Sequence, residues 1–214
     1  MSKKIFFNSS LFLLSFFSIT LVVSNVVFLL GFDLNVWNTV IAFIISVFIL
    51  RYTLKNILEI FAAMFLSVFI VLISYFAAIH YFDTSWDGQG YHQEAIYLLK
   101  NGWNPILEES NSYRIWVNLY QKGNELIQAN IYLITNKIEA GKLLNLIFVY
   151  IAFFVFWSFL DTKKLKKSYC FFLSFVAVFN PVVFTQVFTY YIDGNWYLTL
   201  LISLASLLTY FSNK

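Results

Sequence analysis

Runs of apolar residues close to 20 long dominate this chain and fix what it can become. A helix rises 1.5 Å per residue, so about 20 apolar residues cross a hydrocarbon core of about 30 Å. Six segments approach that length: Leu11 to Leu30, Val36 to Leu50, Ile57 to Ile79, Leu143 to Leu160, Tyr169 to Phe188 and Trp196 to Phe211. The second is the weakest, being short and carrying Asn38 and Thr39, and Pro181 should kink or end the fifth. With 60% hydrophobic and only 12% charged residues, the chain has about half the charge of a soluble domain. The expectation is an all-α polytopic membrane protein, one membrane domain over residues 1–214.

The charges that remain order the spans. Lys3 and Lys4, Arg51 and Lys55, the run from Lys163 to Lys167, and Lys214 alternate with turns at 32–35 and 190–195 that hold no Lys or Arg. The positive-inside rule makes the lysine side, with both termini, cytoplasmic, and turns residues 83–141 outward. The expected location is a bacterial inner (plasma) membrane. The apolar stretch after Lys4 is too long for a secretory h-region, and Gly31-Phe-Asp33 is a poor cleavage site, so it reads as a retained span. Cys170 is the single cysteine, which rules out a disulfide within one chain.

The outer loop has its own pattern. Tyr91, Ala95, Leu98 and Leu99 share one face of a helix ended by Asn101-Gly-Trp-Asn-Pro105, and a second amphipathic stretch runs from Leu119 to Ile134. Both are expected to lie flat in the interface as juxtamembrane helices, with Trp86, Trp103 and Trp116 at headgroup depth.

Chemistry concentrates in Asp83-Thr-Ser-Trp-Asp-Gly-Gln-Gly-Tyr-His-Gln-Glu94. On a helix, Asp83 and Asp87 share one face, within reach of one substrate or one divalent cation, with oxygen ligands favouring Mg²⁺ or Mn²⁺. Transfer of a sugar from a lipid phosphate needs a base for the acceptor hydroxyl, which one carboxylate supplies, and a cation for the departing phosphate. Asp87 and Asp83 are the candidate catalytic residues and the candidate metal ligands. Arg114 and Lys122 are candidates for the phosphate, while His92, Glu94 and Asp193 complete the substrate-binding set. Each has a plainer reading: Asp87 as a helix N-cap, Asp83 as a solvated carboxylate, Asp193-Gly194 as a turn, His92 as an interfacial residue.

Other chemistries lack their motifs. Hydrolase, zinc-protease, P-loop and dinucleotide signatures are absent, and the lysine run near residue 164 reads as a topology anchor, so no nucleic-acid partner is expected. The spans hold almost no charge, which counts against an ion-coupled transporter.

An apolar span, an acidic motif, Tyr91-x-x-x-Ala95 and Gly102-Trp-Asn-Pro105 together resemble the first outer loop of the GT-C glycosyltransferases. That superfamily includes protein O-mannosyltransferases and the aminoarabinose transferase acting on lipid A. The resemblance implies an active-site Asp, best matched by Asp87, and a sugar donor on a polyprenyl or dolichyl phosphate. Tyr120-Gln-Lys-Gly-Asn-Glu-Leu126 is similar to the family's segment of Lys-Pro-Pro type, with Lys122 at its lysine. The chain departs where many members have Asp-Glu, since Gly88 follows Asp87, and where Gln121 and Gly123 flank Lys122. Family enzymes also carry more spans, so the resemblance implies an N-terminal portion or a shortened member. The expected function is transfer of a sugar from a polyprenyl-phosphate donor to a surface glycan, lipid or protein. The alternatives are a non-catalytic subunit working with a second membrane polypeptide, and a flippase for lipid-linked sugars.

Overall fold

A computed structural model describes residues 3–212, which form helices joined by turns and loops, with no strand. Three long helices come first: α1 (Lys3–Leu29), α2 (Val36–Thr53) and α3 (Ile57–His80). Their turns are written locally. Gly31, at φ +79°, lets Phe32 N–H reach Val27 O and its own N–H reach Phe28 O, a Schellman stop for α1. Asn35 then caps α2 through Trp37 N–H at 2.9 Å, and Asn56 caps α3 through Leu58 N–H at 3.0 Å.

The chain next builds a layer over one end of the bundle. Trp86–Lys100 is one continuous helical stretch, a π-turn at Gly88–His92 followed by α4 (Gln93–Lys100). The short α5 (Ile115–Leu119), α6 (Gly123–Thr135) and a 3₁₀ turn (Ile138–Lys142) lead into α7 (Leu143–Thr162). The remaining helices are α8 (Lys167–Val178), α9 (Pro181–Gln186) and α10 (Asp193–Ser212).

Four helical segments are long and apolar enough to cross a membrane: Lys4–Leu29, Val36–Thr53, Ile57–His80 and Ile138–Thr162. Among the described residues, four of the six expected spans therefore have a helix of sufficient length and hydropathy, and the other two are not confirmed. The run from Tyr169 to Phe188 is not one helix, because α8 ends after 12 residues and Asn180 starts a new one by capping Val183 N–H at 3.1 Å, with Pro181 at its first position. Helix α10 has the length, 20 residues, but Asn195, Thr199, Ser203, Ser206 and Thr209 dilute its hydropathy.

The bundle buries small faces and exposes greasy ones. Ala63, Ser67, Ser74 and Ala78 of α3 are buried, and Ser67 reaches the Ser9 carbonyl of α1 at 3.4 Å, the close backbone approach that small residues permit in lipid. Phe61, Phe65, Phe69, Leu72 and Phe76 form the opposite, exposed stripe of α3. Such a face is intolerable in water and suited to acyl chains. At the lysine-bearing end, Lys4 pairs with Glu59 at 2.8 Å, tying the starts of α1 and α3.

The layer has a hydrophobic core of its own. Ile96, Leu99, Trp103, Val117, Leu126 and Tyr190 pack with Phe28 of α1. Helix α6 is covered by the protein on more than its apolar face. It is buried from Glu125 to Ile131, and Asn130 donates to Ser24 of α1 at 2.9 Å. The polar face of α6 is buried as well, where Glu125 meets His92 through Oε1 alone.

Candidate functional site

The acidic motif is organised by Asp83. Its carboxylate is fully buried and accepts the Ser85 N–H through Oδ1 and the Tyr190 N–H through Oδ2, each at 2.8 Å. One aspartate thus folds its own loop as an Asx turn and fastens it to the α9–α10 connection, about a hundred residues away in sequence. Ser85 then accepts the Gly88 N–H at 3.2 Å and is the true N-cap of the helical stretch that begins at Trp86. Asp87 carries no capping bond and sits in the first turn, where the helix dipole favours a negative charge.

Gly88 is fixed by the same arrangement. A Cβ there would stand 2.0 Å from Asp83 Oδ2 and 2.4 Å from Ser85 Oγ, so no side chain fits while Asp83 makes its two bonds. The π-turn over Gly88–His92 absorbs the extra residue and offsets the faces on either side of it.

Asp87 lines an open cleft of about 570 Å³ together with Tyr91, Arg114, Trp86, Tyr113 and Trp116. The Tyr91 hydroxyl is held well above its ordinary range, first by burial, then by the Asp87 charge and by hydrogen bonding to Tyr120 and Asp87. It therefore stays a proton donor beside the carboxylate. Arg114 donates Nη1 to the Gln89 carbonyl at 2.9 Å and Nε to the Tyr113 hydroxyl at 2.9 Å, and its guanidinium lies 3.7 Å from Glu94. A half-exposed pair at that distance contributes about 0–1 kcal/mol, so an anion entering the cleft can compete for the arginine.

The other sequence candidates lie elsewhere. Asp83 is enclosed and does not line the cleft with Asp87. Asp193 accepts from Gln186 at 3.1 Å at the start of α10, where Gln186 in turn accepts the Gly194 N–H at 2.8 Å. His92 and Lys122 sit behind the cleft. His92 Nδ1 meets Glu125 Oε1 at 2.6 Å, with both side chains only 2% exposed. Lys122 donates to the Tyr120 carbonyl, and its pKa is lowered by burial, an effect partly offset by the Glu125 charge. No cluster of three or more His, Cys, Asp or Glu able to hold a metal ion occurs among the described residues.

Three partners escaped the sequence reading: Glu125, Tyr190 and the Glu139–Lys142 pair. Lys142 is fully buried, bonded to Glu139 and to the Tyr81 carbonyl, and so ties the end of α3 to the start of α7. The only signal for Glu125 is a charge inside an otherwise buried helix segment, next to Leu126 and Ile127. Against protein-family models, curated proteins and solved structures, the chain has no match.

Proposed function

We propose that the protein is a membrane glycosyltransferase that moves a sugar from a polyprenyl-phosphate donor to a hydroxyl of a surface glycan, lipid or protein. The observation that carries this reading is the cleft at the layer end of the bundle, where an uncapped Asp87 faces Arg114 across aromatic walls. Asp87 takes the proton of the acceptor hydroxyl, and the acceptor oxygen forms a bond to the anomeric carbon. The bond from that carbon to the phosphate oxygen breaks, and the lipid phosphate leaves with the electron pair. Arg114 exchanges Glu94 for the phosphate, a charge-assisted contact that strengthens as the leaving oxygen gains charge. Tyr91, kept protonated, donates to the same carboxylate or to the sugar.

Trp86, at 86% exposed, and Trp116 border the cleft, the residue type that settles at headgroup depth. A donor with its tail in lipid then reaches the site without leaving the membrane. The layer lies opposite the lysine-bearing end, so the positive-inside rule puts the cleft outside the cytoplasm. Asp83 enters this reading as the residue that shapes the loop, and Asp87 supplies the base.

The test is transfer of radiolabelled sugar from polyprenyl-phosphate donors in membranes containing the protein or its D87N variant. D87N should lose transfer by at least 100-fold, the scale of general-base catalysis, with unchanged expression. Equal transfer by the two proteins would reject the assignment. A non-catalytic subunit is the second reading, favoured by α8, too short to span and exposing Phe171, Phe172 and Phe175. It predicts copurification with a defined second membrane polypeptide and no transfer by the isolated chain.

A further inference from the structure

Glu125 is placed for work the cleft does not explain. Its Oε1 is taken by His92, while Oε2 is buried with no hydrogen-bond partner among the described residues. An unpaired carboxylate oxygen in a protein interior is costly and calls for a partner. Glu125 also lines a second cavity of about 250 Å³, bounded by Tyr120, Gln121, Asn124, Ile192 and Trp196. The Tyr120 ring stacks on Tyr91 with centroids 5.1 Å apart and planes 14° apart. Tyr91 bounds the Asp87 cleft and Tyr120 bounds this cavity, so the stacked pair is the partition between them.

The geometry points to a sugar-binding pocket in which a ring hydroxyl donates to Glu125 Oε2. Charge decides between ligand classes. Lys122 already stands beside the carboxylate, so a cationic ligand would bring a second cation into a buried site. A neutral donor completes the hydrogen bonding without that cost. Tyr120 and Trp196 offer flat faces for the apolar side of a ring, and the amides of Gln121 and Asn124 can serve its other hydroxyls. The volume equals about eight waters at ~30 Å³ each, room for one ring and not for an extended oligosaccharide. His92 acts as a positioning residue, holding the carboxylate through Oε1 and leaving Oε2 as the unpaired oxygen of a side chain that lines the cavity. This deepens the glycosyl-transfer reading, on which it rests for choosing a sugar among neutral hydroxyl donors.

Binding is measured apart from transfer, so that each can fail alone. The full chain in nanodiscs is titrated with methyl glycosides of glucose, galactose, mannose, N-acetylglucosamine and the cationic amino sugar glucosamine, followed by saturation-transfer-difference NMR. At least one glycoside should bind saturably, at least 10-fold more weakly to E125Q and to W196A and unchanged to D87N. Trp196 is exposed, so W196A keeps the test valid if E125Q fails to fold. Absence of saturable binding by the whole panel would overturn the proposal. So would wild-type binding by W196A, equal loss in D87N, or preference for a cationic amino sugar over its neutral counterpart.

Discussion

At the scale of single residues, two neighbouring carboxylates have opposite fates. Asp83 and Asp87 are four apart, yet the loop winds so that one is sealed beneath the other's helix. Asp83 earns its burial through two backbone N–H groups, and hydrogen bonds to a charged group are worth about 1.5–3 kcal/mol each. D83A strands both donors and should lower the melting temperature in detergent by several degrees, whereas D87A should leave it within a degree or two. Gly88 is bound to the same arrangement. G88A forces a methyl group into the Asp83 carboxylate, and overpacking of this kind costs about 1–3 kcal/mol. Melting curves of D83A, D87A and G88A check the three expectations together. If D83A melted like the parent protein, Asp83 would not be the fastener described here.

At the scale of elements, Tyr190 is the clamp between the layer and the α9–α10 connection. Its N–H bonds Asp83, its hydroxyl bonds the Ile138 carbonyl, and a Cβ on Gly141 would come within 2.7 Å of that hydroxyl. Burial, followed by the Glu139 and Asp83 charges, raises its pKa well above 10. Below pH 10 the phenol is protonated in both folded and unfolded chains, and its contribution to stability is intact. As pH climbs past 10, the unfolded chain ionises first and binds fewer protons, so stability falls. Lys122 works with the opposite sign, its lowered pKa making the folded state gain stability as pH rises toward 10.5. Urea unfolding between pH 9 and 11 should show a net alkaline loss that is shallower in Y190F. An equal slope in Y190F would remove the clamp from the account.

The elements also show where sequence patterns were readable. Apolar runs as long and as pure as α1 and α3 have no other fate, and caps at Asn35 and Asn56 mark their turns. The helix expected from Tyr91 exists but starts at Trp86, because Gly88 and Gly90, which look like turn residues, are held inside a π-turn by Asp83 and Ser85. The Asp87 position in a cleft could be proposed from the motif. The separation of Asp83 from it could not, since that depends on Tyr190, about a hundred residues further along. The burial of the polar side of α6 is hidden from its sequence for the same reason: partners such as Ser24 for Asn130 come from distant chain.

At the scale of the molecule, a greasy bundle carries a folded layer on one end and the basic turns with Arg51, Lys55 and the lysines of 163–167 on the other. The exposed stripe of α3 and the matching one of α10, with Leu200, Leu204, Leu207 and Phe211, need an apolar solvent. The cleft opens at the layer end, and the glycosyl transfer proposed for it depends on which side of the membrane that end faces. Impermeant maleimide labelling of sealed, right-side-out cells reads this directly. Cys170 is buried, so a C170S background removes it without disturbing the surface, and single cysteines are placed at Asp87 and at Lys166 on the opposite end. Position 87 should label in intact cells and position 166 only after the membrane is opened. The reverse pattern, with 87 reached only from the cytosol, would contradict the account.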